Sequence, residues 1–304
     1  MKTTTVHPII ALCLLVLIPA LAPATAVVGS KIIYTLAPGD DILLVSAKLG
    51  VDMHAIAREN NLKKNELLQP GRELRVNTRK IAPKQVDYGI IIDISSRTLY
   101  YFESGRVELS FPVGLGMSEW RGITRWKTPS GAFTITRKAK DPVWYVPESI
   151  QMQMHMEGKP VVTMIPPGPD NPLGRYVLYT SLPGIEIHET TSPTSVYRYR
   201  SHGCIRVLSQ HIIPFFERVG EGTPGELVYE PAKAAVMDGW KVYLEVDSDV
   251  YGKVKNVMDE VNERLGALNV DSAVCWETVL KVVQERSGSA EDVTLLPKCV
   301  LHQD

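Results

Sequence analysis

Ser201-His202-Gly203-Cys204-Ile205-Arg206-Val207 sets a cysteine between a glycine and an isoleucine, just after a histidine. A second histidine, His188, lies upstream in Ile-Glu-Ile-His-Glu-Thr. A thiolate attacks carbonyl carbon, and a nearby imidazole can generate it by taking the thiol proton. Gly203 removes side-chain bulk beside the sulfur, where a carbonyl must approach. It also permits a tight turn that aims backbone N–H groups at one point. This pair is the raw material for nucleophilic catalysis. The competing reading is a small buried cysteine beside an unrelated histidine. Zinc is the poorer alternative, since no Cys-x-x-Cys pair or carboxylate at ligand spacing joins one Cys and two His. Neither a metal nor an organic cofactor is expected.

A nucleophile and its base need rigid supports. Glu186 to His188 reads as the end of a strand, which would hold His188 in place. Tyr88–Ile94, Arg97–Phe102 and Arg106–Val113, separated by Ser95-Ser96 and Ser104-Gly105, predict a β-meander. Thr134–Lys138, Tyr176–Leu178 and Glu226–Tyr229 extend the strand-rich pattern. Ser209–Val219 predicts a helix with Ile212, Ile213 and Phe216 on one face, although Pro214 must be accommodated. Pro142–Gly174 is rich in Met, Pro and Gly and reads as a shaped loop, a flap over the groove anchored by Trp144 and Tyr145.

Upstream, residues 33–78 predict strand, helix, helix, strand. Asp40 or Asp41 caps the first helix, Gly50 stops it, and Asp52 caps the second. Residues 80–85 are a linker too short for wide independent motion. Downstream, residues 232–304 predict a strand, Lys241–Val246, and a helical hairpin whose second helix is capped by Asp271 or Ser272.

Four segments in order give the central region its resemblance: Lys127-Thr128-Pro129-Ser130-Gly131-Ala132-Phe133, Asn171-Pro172-Leu173-Gly174, Ile187-His188-Glu189-Thr190 and Ser201-His202-Gly203-Cys204-Ile205-Arg206. Together they resemble the L,D-transpeptidases, the YkuD-type catalytic domain, over residues 86–231. Glu189 stands where members of that family usually carry Gly. Pro38-Gly39-Asp40, Asn60 and Leu68-x-Pro70-Gly71-x-x-Leu74 likewise resemble a LysM module, which binds N-acetylglucosamine-containing glycan. The fold implied is mainly β: a β-sandwich catalytic domain, a small α+β LysM-like domain and an α-rich C-terminal segment.

The resemblance implies catalytic roles for Cys204, His188, His202, Gly203 and Glu189. Cys204 is the nucleophile and His188 the base. The second nitrogen of His188 rests on the backbone carbonyl of Glu189 or, alternatively, on its carboxylate. Backbone N–H groups of Gly203 and Cys204 are the oxyanion donors. His202 either organises the loop or assists in proton handling. On the substrate side, Ser201 supports the turn, Arg206 faces a substrate carboxylate and Tyr176 reaches the groove. The reaction implied takes a peptidoglycan tetrapeptide stem and releases its terminal D-alanine. The acyl group passes to another stem as a 3-3 cross-link, to a lysine of an exported lipoprotein, or to water. A wall-binding protein without catalysis is the reading from another class.

Composition agrees with this frame. The chain has 304 residues, 44% of them hydrophobic, enough for one large core or two to three smaller ones. A net charge of -1 excludes the polycationic footprint of a nucleic-acid binder. Residues 1–26 carry Lys2, an apolar run from Ile9 to Leu21, and Ala24-Thr25-Ala26, which together predict a cleaved export signal and an envelope or periplasmic location. Without that segment Cys204, Cys275 and Cys299 remain. The simplest partition leaves Cys204 reactive and joins Cys275 to Cys299 as a disulfide.

Overall fold

The computed structural model describes residues 26–122, 126–296 and 299; except for Ala26, the expected export signal lies outside them. The first unit comprises β1 (Lys31–Thr35), α1 (Ile42–Leu49), α2 (Met53–Glu59) and β2 (Glu73–Asn77). The two strands pair antiparallel. Of the two candidate caps for α1 it is Asp41 that acts, its Oδ1 accepting the Leu44 N–H at 2.7 Å. Asp40 is used differently: it accepts from Ala37 N–H and the Tyr34 hydroxyl, and it pairs with Lys48 at 2.6 Å. Asp52 caps α2 through the N–H groups of His54 and Ala55. Leu36, Val45, Val51, Ile56, Leu74 and Val76 form its core.

The central unit is built on one sheet. Its strands are β3 (Gly89–Asp93), β4 (Thr98–Glu103), β5 (Arg106–Pro112), β6 (Gly131–Lys140), β7 (Tyr176–Thr180), β8 (Glu186–Glu189), β9 (Ile205–Val207) and β10 (Pro224–Val228). They lie in the order β9-β8-β7-β6-β10-β3-β4-β5. The expected meander is β3 to β5. Two pairings, β8 with β9 and β10 with β3, are parallel. Between β6 and β7 lies helix α3 (Glu148–Met156), and between β9 and β10 lies helix α4 (Ser209–Arg218). Helix α4 packs Ile212, Phe215 and Phe216 into a core shared with Ile135, Leu178, Ile187 and Ile205.

The segment from Pro142 to Gly174 corrects one expectation. It contains regular structure: Trp144–Tyr145 pairs with Met164–Ile165, and α3 fills the space between. Pro147 sits at the N-cap and Pro160 follows the helix, so the prolines bound the helix instead of breaking it. No residue of α3 is fully buried, which is why its methionines show no core-facing stripe.

The third unit holds β11 (Ala232–Met237), β12 (Lys241–Val246), α5 (Val257–Ala267), α6 (Trp276–Glu285) and β13 (Glu291–Asp292). Its sheet runs β11-β12-β13, under a core that joins Leu244 and Val246 to Val261, Leu265, Val279 and Val282. Strand β11 was not evident in the sequence. Ala-Lys-Ala-Ala-Val-Met has no clean alternation and takes its conformation from pairing with β12 along its whole length. The capping expectation also changes: Asp271–Ala273 is a short 3-10 turn, and Cys275 holds the N-cap of α6. Cys275 is hydrogen-bonded to Cys299, and both are thiols here, not the disulfide expected. Burial alone would raise the Cys275 pKa, and hydrogen bonds from Cys299 and Thr278 outweigh it, leaving the thiol below its ordinary value.

The third unit is anchored to the other two. Asn77 Nδ2 donates to the Ala290 carbonyl at 2.9 Å, and Ser289 Oγ donates to the Asn77 carbonyl at 2.9 Å. Deeper in, Lys233 of β11 meets Asp93 of β3 at 2.6 Å, Asp247 at 3.1 Å and Glu245 at 3.2 Å. No helix among the described residues is long and apolar enough to cross a membrane.

Candidate active site

Side chains alternate across a strand, so the register of β8 against β9 decides what meets what. Ile187 pairs with Ile205 and His188 with Arg206. Ile187 and Ile205 point into the core. Glu186 and His188 therefore share the opposite face with Arg206 and, one step before β9, with Cys204. All four line one cleft of about 490 Å³, within the usual range for ligand sites. Trp126, Lys127, Trp144, Tyr145, Ser201 and His202 are among the other residues of its walls.

Four hydrogen bonds shape the turn that carries Cys204. Ser201 Oγ donates to the Cys204 carbonyl at 2.6 Å and accepts the Gly203 N–H at 3.2 Å. Thr128 Oγ1 donates to the Gly203 carbonyl at 2.8 Å and accepts the Gly116 N–H at 2.9 Å. Gly203 has φ +119°, a conformation that strains any side chain. Ser201 supports the turn as expected, and the expectation that changes is the pair of oxyanion donors. The Ser201 hydroxyl is committed to the turn and has no hydrogen left for substrate. The Gly203 N–H is likewise engaged, so the expected pair of oxyanion donors reduces to the Cys204 N–H.

His188 Nδ1 lies 2.6 Å from the Glu189 carbonyl oxygen. A carbonyl only accepts, so Nδ1 carries the proton and Nε2 keeps a lone pair. The Glu189 carboxylate points to the other side of the strand. There it accepts the Arg175 N–H at 2.6 Å and the Ser209 hydroxyl at 2.5 Å, tying the Asn171–Gly174 turn to the start of α4. Gly174 has φ +63°, and a Cβ there would stand 2.6 Å from the Glu189 Cβ. Of the two acceptors open in the sequence, the carbonyl is the one at His188.

His202 Nε2 donates to Gln153 Oε1 at 2.5 Å, and its ring meets Trp126 edge-on at 4.3 Å between centroids. It joins the cysteine turn to α3. Tyr176 does not reach the cleft: Val177 is the β7 residue opposite His188, so Tyr176 faces the α4 side and packs on Phe216 at 5.1 Å.

The resting pair is neutral. Burial lowers His188 to about 4 against a smaller opposing effect of its hydrogen bond to Glu189. Burial, with the Glu186 charge adding to it, pushes the Cys204 thiol up to about 12. The thiol hydrogen points at the Gly184 carbonyl, 3.4 Å away. The side chain of Arg206, half-buried in the cleft, makes no ion pair or hydrogen bond among the described residues. Sequence reasoning missed Glu186 and Gln153. Glu186 had a signal, two residues from His188 on one strand face; Gln153 had none.

A family profile for the L,D-transpeptidase catalytic domain matches residues 87–227, and one for the LysM domain matches residues 34–77. The chain belongs to the L,D-transpeptidase family. It is 32% identical over 236 residues to the "probable L,D-transpeptidase ErfK/SrfK" of Salmonella typhimurium, covering 75% of this chain and 74% of that protein. It is 30% identical over 177 residues to the "probable L,D-transpeptidase YbiS" of Escherichia coli, covering 58% of this chain and 56% of that one. The match therefore spans just over half the length of the latter relative. Among solved structures, an L,D-transpeptidase from Mycobacterium smegmatis aligns at 15% identity and a TM-score of 0.35, over 69% of this chain and 96% of that one.

Proposed function

We propose that the protein is a cysteine-dependent L,D-transpeptidase acting on peptidoglycan tetrapeptide stems. The observation that carries this reading is the β8–β9 register, which sets Cys204, His188 and Arg206 on one face of one cleft. Cys204 Sγ bonds to the carbonyl carbon before the terminal D-alanine. Because thiol and imidazole are both neutral at rest, the proton passes to His188 Nε2 as the sulfur attacks. The Cys204 N–H faces the oxyanion. As the C–N bond breaks, His188 returns that proton to the departing D-alanine amine, and a thioester remains. An acceptor amine, from another stem or from a lysine of an exported lipoprotein, then bonds to the thioester carbonyl carbon as the C–S bond breaks, its proton passing through His188 to the Cys204 sulfur; water gives trimming instead.

Arg206 supplies a cation for a substrate carboxylate, its side chain having no hydrogen-bond or ion-pair partner among the described residues. His202 holds α3 against the cleft in this scheme. The LysM unit tethers the enzyme to glycan and raises the local concentration of stems. An exported, envelope location fits both units, and Cys275, hydrogen-bonded to Cys299, is with it the pair expected to join as a disulfide in an oxidising compartment.

The test is mass spectrometry of disaccharide-tetrapeptides incubated with the mature protein and with its Cys204→Ala variant. A dimer linked between diamino acids, with D-alanine released only by the intact enzyme, is the expected result. D-alanine release without a dimer points to water or a lysine as acceptor. Equal release by both proteins overturns the assignment of Cys204.

A further inference from the structure

Strand β8 carries two glutamates with opposite circumstances. Glu189 faces α4 and has two donors on its carboxylate. Glu186 faces the cleft, half-buried, and its carboxylate makes no hydrogen bond or ion pair among the described residues. Among the described residues, the cations nearest to it are engaged elsewhere or stand apart. Arg137 is close enough to favour the ionised carboxylate, yet its guanidinium lies over the Tyr179 ring at 3.9 Å. Lys127 donates to the Tyr251 carbonyl at 3.1 Å. Arg206 is one residue further along the face, opposite His188.

A carboxylate that is partly out of water and has no partner is costly to keep ionised. Its place is specific. By register Glu186 stands opposite Cys204, and its own backbone N–H favours the thiolate while its carboxylate opposes it. The group that best complements it is a cation held at the sulfur. The reading above supplies cations of one chemistry only: primary ammonium groups, either the free amine of the donor's diamino acid or that of the acceptor, which binds as the ammonium and gives a proton to His188 before it attacks the thioester.

We infer that Glu186 is a specificity-determining residue that recognises a substrate ammonium group beside Cys204. The inference rests on the transpeptidase reading. With Arg206 on the same face, the cleft presents one carboxylate and one guanidinium to an incoming zwitterionic amino-acid end. An ammonium on Glu186 also neutralises the charge that disfavours the thiolate, so the nucleophile is eased as substrate arrives. A neutral nucleophile such as water receives no such help.

The experiment uses the full chain in two arms. In the first, Cys204→Ala protein is titrated with tetrapeptide stems whose diamino acid carries a free or an acetylated distal amine. Fluorescence of Trp126 and Trp144, which line the cleft, reports binding. If the donor is the source, the free amine binds about tenfold more tightly, a difference of about 1.4 kcal/mol, and Glu186→Gln abolishes the preference. In the second arm, the Cys204-containing enzyme partitions its thioester between glycinamide and water. If the acceptor is the source, Glu186→Gln lowers the aminolysis-to-hydrolysis ratio about tenfold. Glu186→Asp, which keeps the charge, retains part of either effect and so separates loss of charge from loss of fold. A Gln variant that matches the parent in both arms overturns the inference. Intact protein that neither binds nor cleaves the stem overturns the transpeptidase reading itself, and this inference falls with it.

Discussion

Around Lys233 six charges face one another: Lys80, Arg97 and Lys233 against Asp93, Glu245 and Asp247, all buried or nearly so. Around Cys204, Glu186 and Arg206 look into a cleft with no hydrogen-bond or ion-pair partner for either among the described residues. Both groups sit on or beside the same central sheet, and the difference is one of completeness. Burial works against the charge of Lys233, yet Asp93, Glu245 and Asp247 outweigh it and hold the pKa well above its ordinary value. That cluster joins strands of two units, and each of its members has an oppositely charged partner within 4.0 Å. The cleft keeps its charges unsatisfied, and an incomplete set of charges is what a ligand can complete.

Breaking each cluster should therefore have a different consequence. His188→Ala removes the base and should reduce acyl transfer from tetrapeptide stems to near background, while the melting temperature stays close to that of the parent. Retention of wild-type turnover would defeat the assignment. Lys233→Met should do the reverse. It leaves three buried carboxylates short of a cation and should lower stability by about 3–5 kcal/mol, read by denaturant titration. A loss under 1 kcal/mol would mean that the cluster is not the junction its geometry describes.

Acid sharpens the contrast. Burial lowers His188, His202 and His211 to about 4 from an unfolded value of 6.5. Each is a base kept neutral by the fold, so the unfolded chain binds more protons below 6.5. Their contribution is complete above that value and is lost as the pH falls from 6.5 toward 4. Thermal midpoints measured over that window should drop, and His188→Gln should flatten the slope. The smallest effect belongs to Glu189→Gln. It keeps the shape but weakens the bridge to Arg175 and Ser209, at a cost of about 1–3 kcal/mol, with turnover largely preserved. A collapse of turnover with little change in melting would give the carboxylate a chemical role after all.

Local signals were legible wherever the chain itself supplied the partner. Asp41 and Asp52 cap helices because their side chains reach N–H groups two or three residues on. The meander strands follow from β-branched runs broken by turns. The order of motifs placed Cys204 and His188 in one family of sites. Long-range pairing was illegible. Strand β11 exists because β12 lies beside it, and α3 because the two halves of its flanking hairpin meet.

Cys204, His188 and the residue types around them were therefore determined by the sequence alone, since motif and chemistry reside in residue identity. The tertiary structure alone decided which face each residue took. One parallel register turned Glu186 toward the sulfur and Glu189 away from it, and the antiparallel register of β7 on β8 turned Tyr176 onto α4. Alternation along a strand fixes which residues share a face, but only packing against α4 decides which face is core and which is cleft.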